Sequence, residues 1–263
     1  MEIKTEASIR NEIRNVEEKW KTVFSSKKDF NSQLIKWQDN ILYDMYAHNQ
    51  FMPVKESIQP TCQDFEEAVE FQKKCEMNFF KYDTRTPISE ELLDTLKEKV
   101  QIDYDETYTM YLPEKHTDNW KRNDKVVIFD IKNHNIENAI FEIQFDNYAK
   151  LYGEDFQTRK IQRYTNMSKE NENLHYLGAF MDGKIAGACY IYAKDGYVQL
   201  DGLIVNENFR KQYVATTLIG YVADKFKGTV FLRADVDDTP KDMYGKMGFK
   251  VIDSLFEYTA KLE

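Results

Sequence analysis

The chain has 263 residues, 42% hydrophobic and 14% aromatic, with a formal charge of −9. Such a length buries one large core or two modest ones, and five prolines, ten glycines and no repetitive tract exclude a fibrous or disordered chain. The acidic balance removes the basic footprint of a nucleic-acid binder, and no apolar run approaches the roughly 20 residues that span a bilayer.

The N-terminal MEIKTEASIRNEIRNVEEKW is charged throughout, lacks the apolar centre of a signal peptide and reads as an amphipathic helix. A helical pattern over 8–34 gives way to the extended NILYDMYAHNQFMPV. A helix is expected over 62–75, a strand over MNFFKYDTRTPI, a short helix capped by Ser89, and an alternating strand over 101–112. The polar stretch 113–124 lacks a periodic apolar face and is the expected linker. Beyond it come the strand KVVIFDIK, two helices, and a hairpin turning at Asp182-Gly183. A third meander strand, GYVQLDGLIV, leads into a helix, the strand TVFLRADV, the short helix PKDMYGKMG and two last strands. This order predicts an α/β protein with a mixed sheet, helices lying on both faces.

Cys62, Cys75 and Cys189 are odd in number and widely spaced, which argues against disulfides or zinc and for a reducing, cytoplasmic setting. Cys189, inside GACYIY, reads as a small core residue. His48, His116, His134 and His175 are scattered, so no metal site is expected.

Two segments carry chemistry. The first follows the third meander strand and runs Val205-Asn206-Glu207-Asn208-Phe209-Arg210-Lys211-Gln212-Tyr213-Val214-Ala215. The second is Asp237-Asp238-Thr239-Pro240-Lys241-Asp242-Met243-Tyr244-Gly245-Lys246-Met247-Gly248-Phe249. A helix N-terminus presents unpaired N–H groups and partial positive charge, so a basic turn there attracts phosphate.

Together these segments resemble the paired signatures of the GNAT superfamily of CoA-dependent N-acyltransferases, V-x-P-x-x-R-G-x-G-x-[GA] and N-x-x-A-x-x-x-Y-x-K-x-G-F. The resemblance covers about 126–262 and implies the GNAT fold for the C-terminal half, with acetyl-CoA as co-substrate and an unidentified small-molecule or peptide amine as acceptor. It implies no metal, no nucleic acid and no membrane partner, in a monomer or homodimer. Leu203, Ile204 and Val205 then hold the pantetheine arm through their backbone, and Arg210, Lys211, Gln212, Tyr213, Val214, Ala215 and Thr216 form the pyrophosphate cradle.

Tyr244 matches the tyrosine that protonates the departing thiolate; the alternative is a ring packed beside Met243 and Phe249. Asp201, four residues before Val205, is placed as a carboxylate base; the alternative is an aspartate bonded to backbone at the sheet end. Tyr213 stands where the family has glycine. If its side chain points away, the cradle survives; if it points in, CoA binding is weakened or lost. Asp237 and Pro240 also depart from the motif. These departures leave a second reading, a catalytically degenerate GNAT-fold CoA-binding or regulatory protein.

The expected domains are 1–120, a smaller α/β domain that could be a degenerate half-GNAT, and 121–263, the GNAT domain. The first half has no Arg-x-x-Gly-x-Gly turn, so a second CoA site is not expected.

Overall fold

The computed structural model describes residues 4–114, 117–238 and 240–262. Helix α1 (Glu6–Phe24) precedes strands β1 (Ser26–Asp29), β2 (Leu34–Gln38) and β3 (Phe51–Pro53). Helix α2 (Cys62–Lys74), strand β4 (Phe79–Thr84), helix α3 (Glu90–Lys99) and strand β5 (Ile102–Tyr111) complete the first half. Strand β6 (Val127–Asp130) opens the second half, followed by helices α4 (Glu137–Tyr152) and α5 (Glu154–Glu170). The meander β7 (Leu174–Met181), β8 (Lys184–Lys194) and β9 (Tyr197–Val205) comes next. Helix α6 (Val214–Lys225), strand β10 (Thr229–Asp235), helix α7 (Pro240–Lys246) and strand β11 (Lys250–Lys261) end the chain. The architecture is the mixed α/β type expected, with parallel and antiparallel pairs in the sheet.

Local chemistry explains several boundaries. Thr61 and Asp64 form a reciprocal capping box at the start of α2, and the Ser89 hydroxyl accepts from Leu92 N–H at the start of α3. The expected hairpin turn at Asp182-Gly183 has both residues at positive φ, as a tight two-residue turn between right-twisted strands requires.

Three expectations fail. The stretch 40–54, expected to be extended, turns through a 3₁₀ helix at Tyr46–His48 and is a strand only at Phe51–Pro53. The two others concern the extent of elements. The helix predicted over 8–34 ends at Phe24, and 26–38 instead forms a hairpin running from Ser26↔Gln38 to Asp29↔Ile35. Ser25-Ser26 and Asn31-Ser32 are turn formers that interrupt the helical face. The two last strands are one, β11, which runs straight through Asp253-Ser254.

The chain folds as two compact units that draw on several segments each. One comprises Met1–Glu17, Met110–Arg233 and Asp242–Lys250; the other comprises Glu18–Thr109, Ala234–Lys241 and Val251–Glu263. In the first, strands run β10-β9-β8-β7-β6, and Cys189 lies fully buried in β8, where burial pushes its thiol pKa up. In the second, the order is β1-β2-β3-β4-β11-β5, with α2 and α3 packed over an apolar cluster that includes Phe65, Phe80, Tyr82 and Tyr258.

Part of the stretch expected as a linker is tied down. Trp120 Nε1 donates to the Met247 carbonyl at 3.1 Å, and Thr117 Oγ1 to Asp224 at 2.9 Å. Lys115 and His116 lie outside the described residues. No helix among the described residues is long and apolar enough to cross a membrane.

Candidate active site

Strand β9 is paired differently on its two sides. Toward β10 the parallel ladder runs from Tyr197↔Thr229 to Leu200↔Leu232, and among the described residues it carries no pair beyond. Toward β8 the antiparallel ladder continues to Val205↔Gly187, with a bulge where Ala188 and Tyr190 face Ile204 and Asp201. Asp201–Val205 therefore keeps one partner and leaves its other edge open.

Gly202 makes the bulge possible. Its φ is +58, and a Cβ there would sit 2.6 Å from the Tyr190 ring, so both conformation and space demand glycine. It was not among the predicted site residues. Its signal in the sequence is a lone glycine inside the apolar run QLDGLIV, the usual mark of a bulge or close approach.

Beyond Val205 the chain makes a 3₁₀ turn at Glu207–Phe209, fastened by the Asn206 side chain accepting from Asn208 N–H at 3.0 Å. Lys211 and Tyr213 then take left-handed backbone angles, φ +62 and +61, before α6 begins. Alternating conformations of this kind turn successive N–H groups toward one concavity, which binds anions. Among the described residues, no N–H from Lys211 to Thr216 has an acceptor. Those six donors, the start of α6, and the charges of Arg210 and Lys211 thus lie on one short segment, an arrangement that suits an anion.

Tyr213 takes the left-handed angles that glycine would supply there. Its side chain is 47% exposed, with Lys121 Nζ 6.0 Å from the ring centroid. A left-handed non-glycine residue costs about 1–2 kcal/mol, and such strain persists where the surroundings over-determine it. Asn123 is part of those surroundings. Its Nδ2 donates to the Gln212 carbonyl at 3.0 Å, while its own N–H donates to Thr217 Oγ1 at 2.9 Å. Thr217 Oγ1 in turn donates to the Tyr213 carbonyl at 2.7 Å. The carbonyls of Gln212 and Tyr213 are thus occupied, while the N–H groups of the turn have no acceptor among the described residues. Next to Asn123, the Arg122 guanidinium lies on α6 at Gly220, where a Cβ would stand 2.6 Å from Arg122 Cζ, and pairs with Asp224 at 2.5 Å. Asn123 and Arg122 were missed because both lie in a stretch read as loop.

The structure gathers Leu203–Thr216 into one strand-turn-helix and places Tyr244 on α7, a separate element of the same compact unit. Tyr244 is 6% exposed, its ring centroid 5.9 Å from that of Phe249, so the packing expected of it is present. Asp201 is exposed, and its Oδ1 accepts from Gly202 N–H at 2.7 Å, so the backbone bond is present too. Pro240 is the first residue of α7, where its missing N–H costs nothing.

Residues 137–249 match the model of the Acetyltransferase (GNAT) family. This segment is a GNAT domain. Solved structures resemble the whole chain. A functionally unknown conserved protein from Staphylococcus epidermidis ATCC 12228 aligns with TM-score 0.77 at 20% identity, covering 92% of this chain and 96% of that one. A GCN5-related N-acetyltransferase from Kribbella flavida aligns with TM-score 0.64 at 10% identity, covering 96% and 95%. A tandem GNAT protein from the clavulanic acid biosynthesis pathway aligns with TM-score 0.52 at 12% identity, covering 87% and 82%. At such identities the likeness is one of fold. No curated protein matches the chain in sequence.

Proposed function

We propose that the GNAT domain moves an acetyl group from acetyl-CoA to a primary amine of a small molecule or peptide. The observation that carries this reading is the row of unmet N–H groups from Lys211 to Thr216. Donors left open at a helix start suit an anion, and the pyrophosphate of CoA supplies one, with Arg210 and Lys211 adding charge. The open edge of Asp201–Val205 suits an extended chain bearing amides, which pairs as a strand would, and the pantetheine arm has that character.

In this mechanism, positioning supplies much of the rate. A main-chain N–H of Leu203–Val205 polarises the thioester carbonyl. Asp201 takes a proton from the acceptor ammonium, and the freed amine attacks the carbonyl carbon. As the new C–N bond forms, the C–S bond breaks and the electron pair leaves on sulfur. The Tyr244 hydroxyl delivers the proton that turns the thiolate into CoA thiol, a suitable exchange between groups of comparable basicity. The second proton, shed by the acylated nitrogen, returns through water to the phenolate. The free cysteines, Cys62, Cys75 and Cys189, suit a reducing compartment such as the cytoplasm.

A second reading, a CoA-binding protein without turnover, is favoured by the burial of Tyr244. Two measurements separate them. Acetyl-CoA at about 100 times its Kd should stabilise the protein by about 2.7 kcal/mol; no shift at millimolar ligand refutes both readings. Given binding, CoA release with a panel of amines supports transfer, and binding without release supports the second reading.

A further inference from the structure

Beside the bulge of β9 lies a group of side chains that acetyl-CoA binding does not use. Lys160 on α5 is partly buried, and among the described residues it forms no hydrogen bond or ion pair. Its Nζ stands 5.7 Å from the centroid of the Tyr148 ring. Burial lowers its pKa, while the charge of Asp201 acts in the opposite sense. Tyr164, one turn along α5 from Lys160, packs its ring centroid 4.6 Å from that of Tyr190, the register partner of Asp201. Helix α5 thus brings Lys160 to this part of β9, yet Lys160 and Asp201 make no ion pair among the described residues. Among the described residues the only hydrogen bond of the Asp201 side chain is the one from Gly202 N–H. Tyr190, under Gly202, is buried with its ring against that of Tyr176, the centroids 4.1 Å apart.

An aromatic series leads away from this group along the α4–α5 elbow. Tyr148 and Tyr152 have ring centroids 6.1 Å apart, and Tyr152 and Phe156 are 6.2 Å apart. Tyr152 is 59% exposed and the adjoining Leu151 73% exposed, so the outer end of the series is open to solvent.

Charge decides what fits between Lys160 and Asp201. A simple amine is drawn to Asp201 and repelled by Lys160; a simple carboxylate meets the reverse. A molecule carrying both an ammonium and a carboxylate satisfies both, and gives Lys160 the partner that a half-buried ammonium lacks.

We propose that the acceptor is an amino acid or amino-acid-like molecule with an apolar side chain. Its amine sits at Asp201 beside the acyl site, its carboxylate at Lys160, and its side chain along Tyr148, Tyr152 and Phe156. This rests on the acetyl-transfer reading and names the substrate class for the same site. Lys160 is a specificity-determining residue in it, and Asp201 is placed to receive the ammonium.

The test compares acceptors matched except for charge. With acetyl-CoA and the full chain, phenylalanine should exceed phenethylamine in kcat/KM by roughly tenfold or more, the scale of one charge-assisted hydrogen bond. Lys160→Met keeps the aliphatic stem and should bring the ratio to about one, chiefly through KM, with CoA-induced thermal stabilisation unchanged. Lys160→Arg should retain the preference. A wild-type preference for phenethylamine, or a ratio that Lys160→Met leaves unaltered, overturns the proposal. If no acceptor turns over, calorimetry with phenylalanine on CoA-saturated protein replaces the assay, and absence of binding overturns it. Failure to bind CoA at all removes the acetyl-transfer reading and this proposal with it; CoA binding without the phenylalanine preference removes only this proposal.

Discussion

In the unit that holds β4 and β11, the buried charges that β4 carries are paired. Lys81, 7% exposed, reaches Glu257 at 2.5 Å and Asp83 at 3.5 Å, and Thr107 closes on the other Glu257 oxygen at 2.6 Å. Arg85, two residues beyond Asp83 on the same side of the chain, lies 3.5 Å from Asp253. In the unit that holds β9 and α6, six consecutive N–H groups lack acceptors among the described residues, and Lys160 forms no ion pair there. Satisfied polar groups hold a structure in place; unsatisfied ones, held open by a braced backbone, await a ligand. On the function proposed above, the first network is scaffolding and the second region serves chemistry.

Substitutions in the two units should therefore fail in different ways. The largest effect is expected for Tyr244→Phe, which should lower kcat by about 10²–10⁴-fold while leaving the Kd for acetyl-CoA nearly unchanged, because the proton is needed only as the thiolate leaves. The ring and its contact with Phe249 remain, so the urea midpoint should hold. Activity at the wild-type level would take Tyr244 out of the mechanism.

Lys81→Met should do the opposite. It takes the nearer of two lysines from Asp83, 2% exposed, leaving Lys21 at 3.9 Å, and removes the ion pair of Glu257. It should cost about 3 kcal/mol in urea unfolding, with CoA affinity intact at temperatures where the protein stays folded. Burial pulls the Lys81 pKa down, but Asp83 and Glu257 more than restore it, leaving it raised above 10.5. A raised lysine stabilises fully below its unfolded pKa and loses that contribution only as pH climbs through the folded value. The loss on substitution should therefore be constant from neutral pH to about pH 9, given a reference pKa near 10.4. A CoA affinity that falls in step with stability would break the division between the units.

How much of this was legible in the sequence follows from the distance over which each feature is determined. The turn at 206–216 is one continuous segment, so its motif, basic charge and helix start could all be read directly. The Asp182-Gly183 hairpin was equally local. By contrast, β4 and β11 pair Tyr82 with Tyr258, and nothing near either residue announces the other. The charged ladder on Lys81, Asp83 and Arg85 was hidden for the same reason. Lys160 and Tyr148 meet Asp201 only because two helices and a strand converge. Asn123 acts across 89 residues on Gln212, so a polar loop was all its neighbours could suggest.

A smaller effect is expected at that brace. Asn123→Ala removes the bond to the Gln212 carbonyl and should weaken CoA binding by about three- to tenfold, the worth of one hydrogen bond. Turnover with acetyl-pantetheine, which has no pyrophosphate, should be unaffected. Equal losses with both thioesters would mean that Asn123 supports the fold generally and does not shape the cradle.

The smallest effect concerns Tyr213, and its value lies in its sign. Glycine at 213 would relieve the left-handed strain, about 1–2 kcal/mol, but would give back about 0.4–1 kcal/mol through a more flexible unfolded chain. Tyr213→Gly should therefore raise stability by between nothing and about 1.6 kcal/mol. CoA affinity should stay within about threefold, since a ring 47% exposed and set near Lys121 is not what meets the phosphate. Tyr213→Val asks a β-branched residue to hold the same φ of +61, and should lose both stability and CoA affinity, because relaxing that residue turns its N–H out of the row. Thermal melts and CoA titrations on the two variants read both quantities. Glycine weakening CoA strongly, with valine neutral, would mean that the tyrosine ring itself contacts the ligand and that the backbone angle is incidental. The expected pattern, glycine tolerated and valine not, would show that the site needs the angle at 213 and can take it from a tyrosine.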